Sequence, residues 1–70
     1  MRANIGDYVV VFKSAGGCAL FRVDEAGARI PVRDNLASPQ IARQIARGSL
    51  PAGGQIWVCD ETAPDVIDPY

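Results

Sequence analysis

Two short apolar runs joined by a pair of glycines constrain the fold of this chain more than any other feature. The first run extends from Asp7 to Lys13 and contains Tyr-Val-Val-Val-Phe, and the second extends from Cys18 to Val23. β-Branched and aromatic residues in runs of this length predict strands. Because Gly16-Gly17 between them can supply the positive φ that a tight turn needs, the pair predicts a β-hairpin.

A third strand is predicted from Ala28 to Val32, after a turn at Asp24–Gly27 that ends in a glycine. Alternation along this strand places Arg29 and Pro31 on its outer face. Proline cannot donate a ladder hydrogen bond, so the strand is expected at an edge or a strand end of the sheet.

The next element is predicted to be a short helix from Pro39 to Arg47. Ser38 is a good N-cap, and proline is well tolerated at the first helical position. Gly48 is expected to end the helix in the left-handed conformation. At 100° per residue the apolar residues separate from the polar ones, so the helix should pack one face on a sheet. The apolar arc holds Ile41, Ala42, Ile45 and Ala46, and the polar arc holds Gln40, Arg43, Gln44 and Arg47.

A loop over Leu50–Gly54 leads to a fourth predicted strand, Gln55–Cys59, in which Ile56 and Val58 face one way and Trp57 and Cys59 the other. The order βββαβ predicts an α+β fold for residues 1–60: a mostly antiparallel sheet of about four strands with one short helix packed on a face. Residues 61–70 contain two prolines and several acids, and they are predicted to form an acidic C-terminal tail.

Catalytic motifs are not found, and no enzyme activity is expected. The 70 residues correspond to one small domain, and they contain no histidine to act as a base or a zinc ligand. The glycine pairs lack the spacing of nucleotide-binding loops, and adjacent carboxylates in a strand would point to opposite faces. We therefore expect neither a cofactor nor a metal.

The two cysteines, Cys18 and Cys59, are interpreted as small buried hydrophobes in a reducing cytoplasm. A disulfide between them is the alternative, because both fall in strand-like segments that could pair. No apolar run has the length of a membrane span. The sequence therefore predicts a cytoplasmic location without a membrane partner.

Charge is divided unequally along the chain. Residues 1–50 carry all seven Lys and Arg residues and four acids, whereas residues 51–70 carry four acids and no base. A pI near 5.0 argues against general phosphate-backbone binding, and the asymmetry favours a dipolar surface that binds protein. A solvated surface is the alternative interpretation of the same charges. The candidate partner-binding residues are Arg22, Arg29, Arg33, Arg43, Arg47, Trp57, Asp60 and Glu61.

The segment Ser38–Arg47, followed by Gly53–Val58, resembles the helix-then-strand core of small phage-encoded proteins, among them type I anti-CRISPR proteins. The resemblance rests on size, acidic pI, a β-rich order and a short basic helix. It implies an inhibitor that acts in the host cytoplasm without catalysis. Such an inhibitor would occlude a surface of the CRISPR surveillance complex through charged and aromatic contacts.

The leading functional hypothesis is therefore a non-enzymatic protein-binding module that inhibits a host nucleoprotein complex. One alternative is a small nucleic-acid-associated regulatory protein that uses its arginine faces, and another is an accessory subunit completed by a second chain. Trp57 beside an unpaired edge at Gln55–Cys59 further suggests a homodimer through this strand. The competing expectation is a monomer whose acidic tail covers Trp57.

Overall fold

The computed structural model describes residues 2–50 and 54–70, which form five strands and one helix. The strands are β1 (Tyr8–Phe12), β2 (Cys18–Val23), β3 (Arg29–Leu36), β4 (Ile56–Asp60) and β5 (Ala63–Pro69), and the helix α1 (Pro39–Ser49) lies between β3 and β4. The predicted α+β class is confirmed. Most of the predicted loop Leu50–Gly54, namely residues 51–53, lies outside the described residues.

The five strands form a single sheet in the order β3-β2-β1-β4-β5. β1 pairs with β2 as the predicted antiparallel hairpin, in which Val10 lies opposite Leu20. On its other side β1 pairs with β4 in parallel, and Val10 lies opposite Val58. The sheet is therefore mixed, because the helical connection returns the chain in the direction of β1.

The prediction of four strands and an acidic tail is wrong at β5. Residues 63–69 pair antiparallel with β4 and form one edge of the sheet. Their prolines and acids are compatible with an edge position, where one side of the strand makes no ladder hydrogen bonds. Because β4 lies between β1 and β5, the prediction that Gln55–Cys59 is an exposed edge is also wrong.

The third strand is longer than predicted and irregular. β3 reaches Leu36, and its register against β2 shifts twice between Leu36 and Pro31. Asn35 adopts a φ of 54°, a left-handed conformation that asparagine tolerates better than most residues. Gly17 faces this strand closely: a Cβ there would lie 2.9 Å from the carbonyl oxygen of Leu36. The predicted glycine turn is therefore required both by its φ of 77° and by the close approach of β3.

Helix α1 begins as predicted and ends later. The Ser38 hydroxyl accepts a hydrogen bond from the Ile41 N–H at 3.4 Å, and Pro39 is the first helical residue. Gly48 lies inside the helix rather than after it, and the C-cap is Leu50. Ala42 and Ala46 are fully buried against the sheet, which allows the helix backbone to approach closely.

Side chains are buried on both faces of the sheet, and a different part of the structure covers each face. On the helix face, α1 covers a cluster built from Tyr8, Val10, Cys18, Leu20, Ala42, Ala46 and Ile56. The opposite face carries a second cluster, built from Val9, Val11, Val23, Trp57, Cys59 and Ile67. The predicted separation of Ile56 from Trp57 on the two faces of β4 is confirmed.

Curvature of the sheet buries the second cluster, and we call its surface the concave face. A flat sheet would hold β3 and β5 about 19 Å apart, farther than one side chain can reach. Yet Arg29 of β3 donates a hydrogen bond from Nη2 to the carbonyl oxygen of Pro64 in β5 at 2.6 Å. The two edge strands therefore curl toward each other over this cluster.

The cysteines lie on opposite faces of the sheet. Cys18 belongs to the cluster under the helix and Cys59 to the concave face, and β1 lies between their strands. Both are free thiols, so the alternative of a disulfide is wrong. Burial raises the pKa of the Cys18 thiol, which keeps it protonated and unreactive.

A buried carboxylate connects the two parallel strands. Asp7, only 3% exposed, immediately precedes β1. Its Oδ2 accepts hydrogen bonds from the indole Nε1–H of Trp57 at 2.8 Å and the Asn4 N–H at 2.9 Å, and its Oδ1 accepts one from the Gln55 N–H at 3.0 Å. The indole N–H is buried and the two backbone N–H groups are partly buried, so this carboxylate satisfies a set of donors that the fold brings together.

Replacing Asp7 with alanine is expected to destabilise the protein by about 2–3 kcal/mol, because it leaves the buried indole N–H and two partly buried backbone N–H groups without their acceptor. That loss is a large fraction of the stability of a 70-residue domain, which is of order 4–10 kcal/mol. Urea denaturation followed by Trp57 fluorescence measures the change. The matched control is Asp68→Ala, which removes an exposed carboxylate and should cost within about 0.5 kcal/mol. Equal effects of the two substitutions would contradict the structural role of Asp7.

Stability should also fall in acid through the same group. Burial alone would raise the pKa of Asp7, but the hydrogen bonds from Asn4, Trp57 and Gln55 outweigh burial and lower the pKa below its ordinary value of 3.8. The ionised carboxylate therefore stabilises the fold above the unfolded-state pKa of about 3.9, and this contribution is lost as the pH falls through the lower folded-state pKa. Unfolding free energies measured between about pH 5 and pH 2.5 should decrease in the wild type and decrease less in Asp7→Asn. Parallel pH profiles would refute the assignment.

Candidate functional site

One exposed face of α1 carries four long polar side chains in a continuous row, which we call the helix stripe. Gln40, Arg43, Gln44 and Arg47 follow the i, i+3, i+4, i+7 spacing that places residues on one side of a helix. They line a surface cleft of about 250 Å³. Among residues 2–50 and 54–70, no ion pair or hydrogen bond occupies their side chains, so their N–H groups, apart from the buried Nε–H of Arg43, remain available to a ligand.

Arg43 is held in place by an aromatic ring. Its guanidinium carbon lies 5.0 Å from the centroid of Tyr70, within the range of a cation–π interaction. Tyr70 in turn donates its backbone N–H to the carbonyl oxygen of Ile56 at 2.9 Å and packs against the cluster under the helix. The ring is therefore fixed to β4, and it orients a guanidinium that would otherwise sample many rotamers.

The surroundings of Arg43 also shield part of the group from water. Its Nε is buried and has no hydrogen-bond partner within the described part of the chain. The sequence placed Arg43 wholly on the solvent-facing arc, whereas the side chain is half-buried. Conversely Ile41, predicted to face the sheet, is 42% exposed, and it lies one turn from Gln44. The stripe thus combines a guanidinium stacked on a ring, an exposed guanidinium and an apolar neighbour.

The other predicted arginines do not form one surface. Arg22 and Arg33 lie on the same side of the sheet as the helix, because Arg22 is opposite Tyr8 and Arg33 is opposite Leu20 in the strand register. Both are exposed. Arg29 lies opposite Val23, so its side chain points to the concave face. There it donates to Pro64, and its Nη1 lies 3.7 Å from Cys59 Sγ. The predicted outer position of Arg29 is wrong, since curvature of the sheet turns that face inward.

Trp57 belongs to the core. It is 8% exposed, packs among the concave-face residues and donates its indole N–H to Asp7. The segment predicted as a tail contributes Ile67 to the same cluster. An uncovered tryptophan, on which the predicted homodimer depended, is therefore not present in this structure.

Asp60 ends β4 and Glu61 lies in the turn that follows, and both carboxylates serve local structure. The backbone N–H and hydroxyl of Thr62 donate to Asp60 Oδ1, and these bonds lower the pKa of Asp60. The backbone N–H of Ser14 donates to Glu61 Oε1 at 2.6 Å and lowers the pKa of Glu61. The bond between Ser14 and Glu61 joins the turn after β1 to the turn after β4 at one end of the sheet.

Sequence reasoning missed Tyr70, because the residues around it were interpreted as a tail. The signal that could have found it is the adjacent pair of β-branched residues, Val66 and Ile67, which favours a strand just before Tyr70. Gln40 and Gln44 were placed correctly on the polar arc but were not named as site residues. The structure shows that the two glutamines line a surface cleft together with Arg43 and Arg47.

No helix in residues 2–50 and 54–70 has the length and apolar character needed to cross a membrane. Within the same ranges, no group of three Cys, Asp or Glu side chains is arranged to hold a metal ion.

Comparison of the chain with protein-family models, curated proteins and solved structures finds no match.

Removing the ring of Tyr70 should destabilise the protein, because the ring contacts both Arg43 and the cluster under the helix. Tyr70→Ala is expected to lower the unfolding free energy by about 1–2 kcal/mol, since it removes buried apolar area and the cation–π contact. Tyr70→Phe keeps the ring and is expected to change stability by less than about 0.5 kcal/mol. Chemical denaturation of both variants tests this prediction. If Tyr70→Phe were as unstable as Tyr70→Ala, the ring would not account for the loss of unfolding free energy.

Proposed function

We propose that this chain is a non-enzymatic protein-binding module that docks its helix stripe on an acidic surface of a protein partner. The observation that carries the proposal is the guanidinium of Arg43, held on the ring of Tyr70 beside Arg47 and two glutamine amides. Planar guanidiniums bind carboxylates through paired hydrogen bonds, and arginine is enriched among residues that dominate binding energy at interfaces.

Fixing Arg43 before binding supports affinity. A free arginine loses side-chain entropy when it is immobilised at an interface, at about 0.5–1.5 kcal/mol for a rotamer-rich side chain. The stack on Tyr70 means that the protein has already met part of this cost in folding. Arg47, one turn away, remains exposed and can adapt to the partner. This combination suits a surface with several carboxylates.

The choice of a protein surface over nucleic acid rests on charge and on Ile41. The chain has a net charge of −1, and nucleic-acid binders normally rely on a strongly basic face. The stripe offers two arginines, whereas Arg29 is committed to Pro64 and Cys59 on the other face of the sheet. An isoleucine that is nearly half exposed beside the stripe would gain from burial against apolar side chains of a protein.

The resemblance of the segment around α1 and β4 to phage-encoded inhibitors suggests a class of partner. Under this proposal the chain binds a type I CRISPR surveillance complex and occludes one of its surfaces. It would require no reaction step, and the acidic surface that the stripe selects would lie on a protein subunit of the complex.

Reversing the charge of the stripe should abolish binding while leaving the fold intact. The variant Arg43→Glu/Arg47→Glu replaces attraction to carboxylates with repulsion, and we expect its affinity for a purified type I surveillance complex to fall by at least about a hundredfold. The change at the exposed Arg47 should cost within about 0.5 kcal/mol of stability, and the change at the half-buried Arg43, which loses its stack on Tyr70, should cost about 1–2 kcal/mol. Binding can be measured by biolayer interferometry, and inhibition by plaque formation on a strain with an active type I system.

The conservative variant Arg43→Lys/Arg47→Lys is the matched control. It keeps both charges but loses the planar fork, so it should bind with intermediate affinity. Absence of wild-type binding to the surveillance complex would reject this partner class. Tight, salt-dependent binding to DNA or RNA would contradict the protein-binding proposal and favour the nucleic-acid-associated alternative.

A further inference from the structure

Strand β5 is attached to the sheet by few interactions. Ile67 is its single buried residue, whereas four of the five residues of β1 are buried. Its ladder to β4 is irregular between Asp68 and Ala63, and Pro64 and Pro69 have no N–H to donate. Segments with few buried apolar contacts open at a lower free-energy cost than the core. β5 is therefore suited to separate from β4 while the other elements stay folded.

An open cleft separates part of β5 from the rest of the concave face. It has a volume of about 390 Å³, and its lining includes Asp65 and Ile67 of β5 and Val23 of β2. The Arg29 guanidinium lines the same cleft and reaches β5 through its hydrogen bond to the carbonyl oxygen of Pro64. This bond therefore joins β5 to β3 across a space that side-chain packing does not fill.

The other end of β5 is held on the helix face. Tyr70, the residue after β5, is hydrogen-bonded to β4 through its backbone N–H. Its ring packs against the cluster under the helix and against the guanidinium of Arg43. We call residues 63–70 the strap, because an arginine contacts it near each end and the two contacts lie on opposite faces of the sheet.

The thiol of Cys59 lies beside the first of these contacts. Its Sγ is 3.7 Å from Arg29 Nη1, while Nη2 of the same guanidinium is bonded to Pro64 of the strap. Cys59 is 4% exposed and belongs to the concave-face cluster together with Ile67. Separation of the strap from β4 would therefore expose this thiol to solvent.

We propose that the strap opens and closes as one unit about the turn at residues 61–62, and that its motion couples the concave face to the helix stripe. In the closed state Arg29 holds Pro64, and Tyr70 orients Arg43. Opening uncovers Cys59 and the edge of β4, and it withdraws the Tyr70 ring from Arg43 on the other face.

The consequence for binding rests on the proposed function. A partner that recognises the oriented Arg43 binds the closed state better, so it shifts the equilibrium toward closure. The opening itself is a property of the chain alone, and it can be measured without a partner.

Alkylation of Cys59 by iodoacetamide in the whole chain measures the opening. Mass spectrometry of the digested protein follows Cys59 separately from Cys18, and the rate in the urea-denatured chain divided by the native rate gives a protection factor. In the wild type we expect this factor to be at least about tenfold smaller than the equilibrium constant for global folding from urea denaturation. It should also change little at urea concentrations below the transition, because strap opening exposes little surface.

Loosening either end of the strap should lower the protection of Cys59. Arg29→Ala and Tyr70→Ala are each expected to lower the factor about tenfold, through loss of the charged hydrogen bond and of the packed ring. The tyrosine variant separates strap opening from simple uncovering of the thiol, because the ring lies on the opposite face of the sheet from Cys59. Arg33→Ala, an exposed position in the same strand as Arg29, is the matched control and should leave the factor within about twofold.

Gln44→Gly separates strap opening from global unfolding. Glycine at this exposed helical position should lower the global folding constant about fivefold, yet it should leave the protection of Cys59 unchanged, because α1 stays folded when the strap opens. The proposal would be overturned by a protection factor equal to the global constant, by a fivefold fall in Gln44→Gly, or by unchanged protection in Tyr70→Ala. Failure of the chain to bind a surveillance complex would reject the proposed function and leave these results as they stand.

Discussion

The buried carboxylate of Asp7 is the interaction on which the rest of the structure depends. A charge shielded from water is costly unless hydrogen bonds replace its hydration, and here three donors do so. Two of them come from Gln55 and Trp57, about fifty residues along the chain. By accepting both, Asp7 sets the register of β4 beside β1 and orients the indole toward the concave face. The parallel pairing places the connecting helix over the sheet, and with it the helix stripe.

The described residues bury side chains on both faces of the sheet with a single helix. The helix contributes only two fully buried alanines to one face, and no second helix covers the other among the described residues. Instead the sheet curls, and Arg29 joins the two edge strands across the concave face. Arg29 is therefore half-buried, and its guanidinium is bonded within the fold. The arginines of the helix stripe, by contrast, make no hydrogen bond among the described residues.

The candidate surface could be predicted only in part. The helical period correctly placed Arg47, Gln40 and Gln44 in solvent, because a short helix on a sheet must turn its polar arc outward. The period could not show that Tyr70 would stack on Arg43, since that contact depends on a strand interpreted as a tail. Trp57 was predicted as a contact residue because large aromatic side chains are common at interfaces, but its indole N–H found a buried acceptor in Asp7.

The sequence by itself determined the local elements: the hairpin of β1 and β2, the start of the helix at Ser38 and Pro39, and the alternation that separates Ile56 from Trp57. These follow from propensities, capping and turn chemistry that act over a few residues. Only the tertiary structure decided the parallel pairing of β1 with β4, the addition of β5, the bulges in β3 and the inward position of Arg29. Each of these depends on contacts between residues far apart in sequence. In these contacts, burial and sheet curvature outweigh the local conformational preferences of prolines and charged residues.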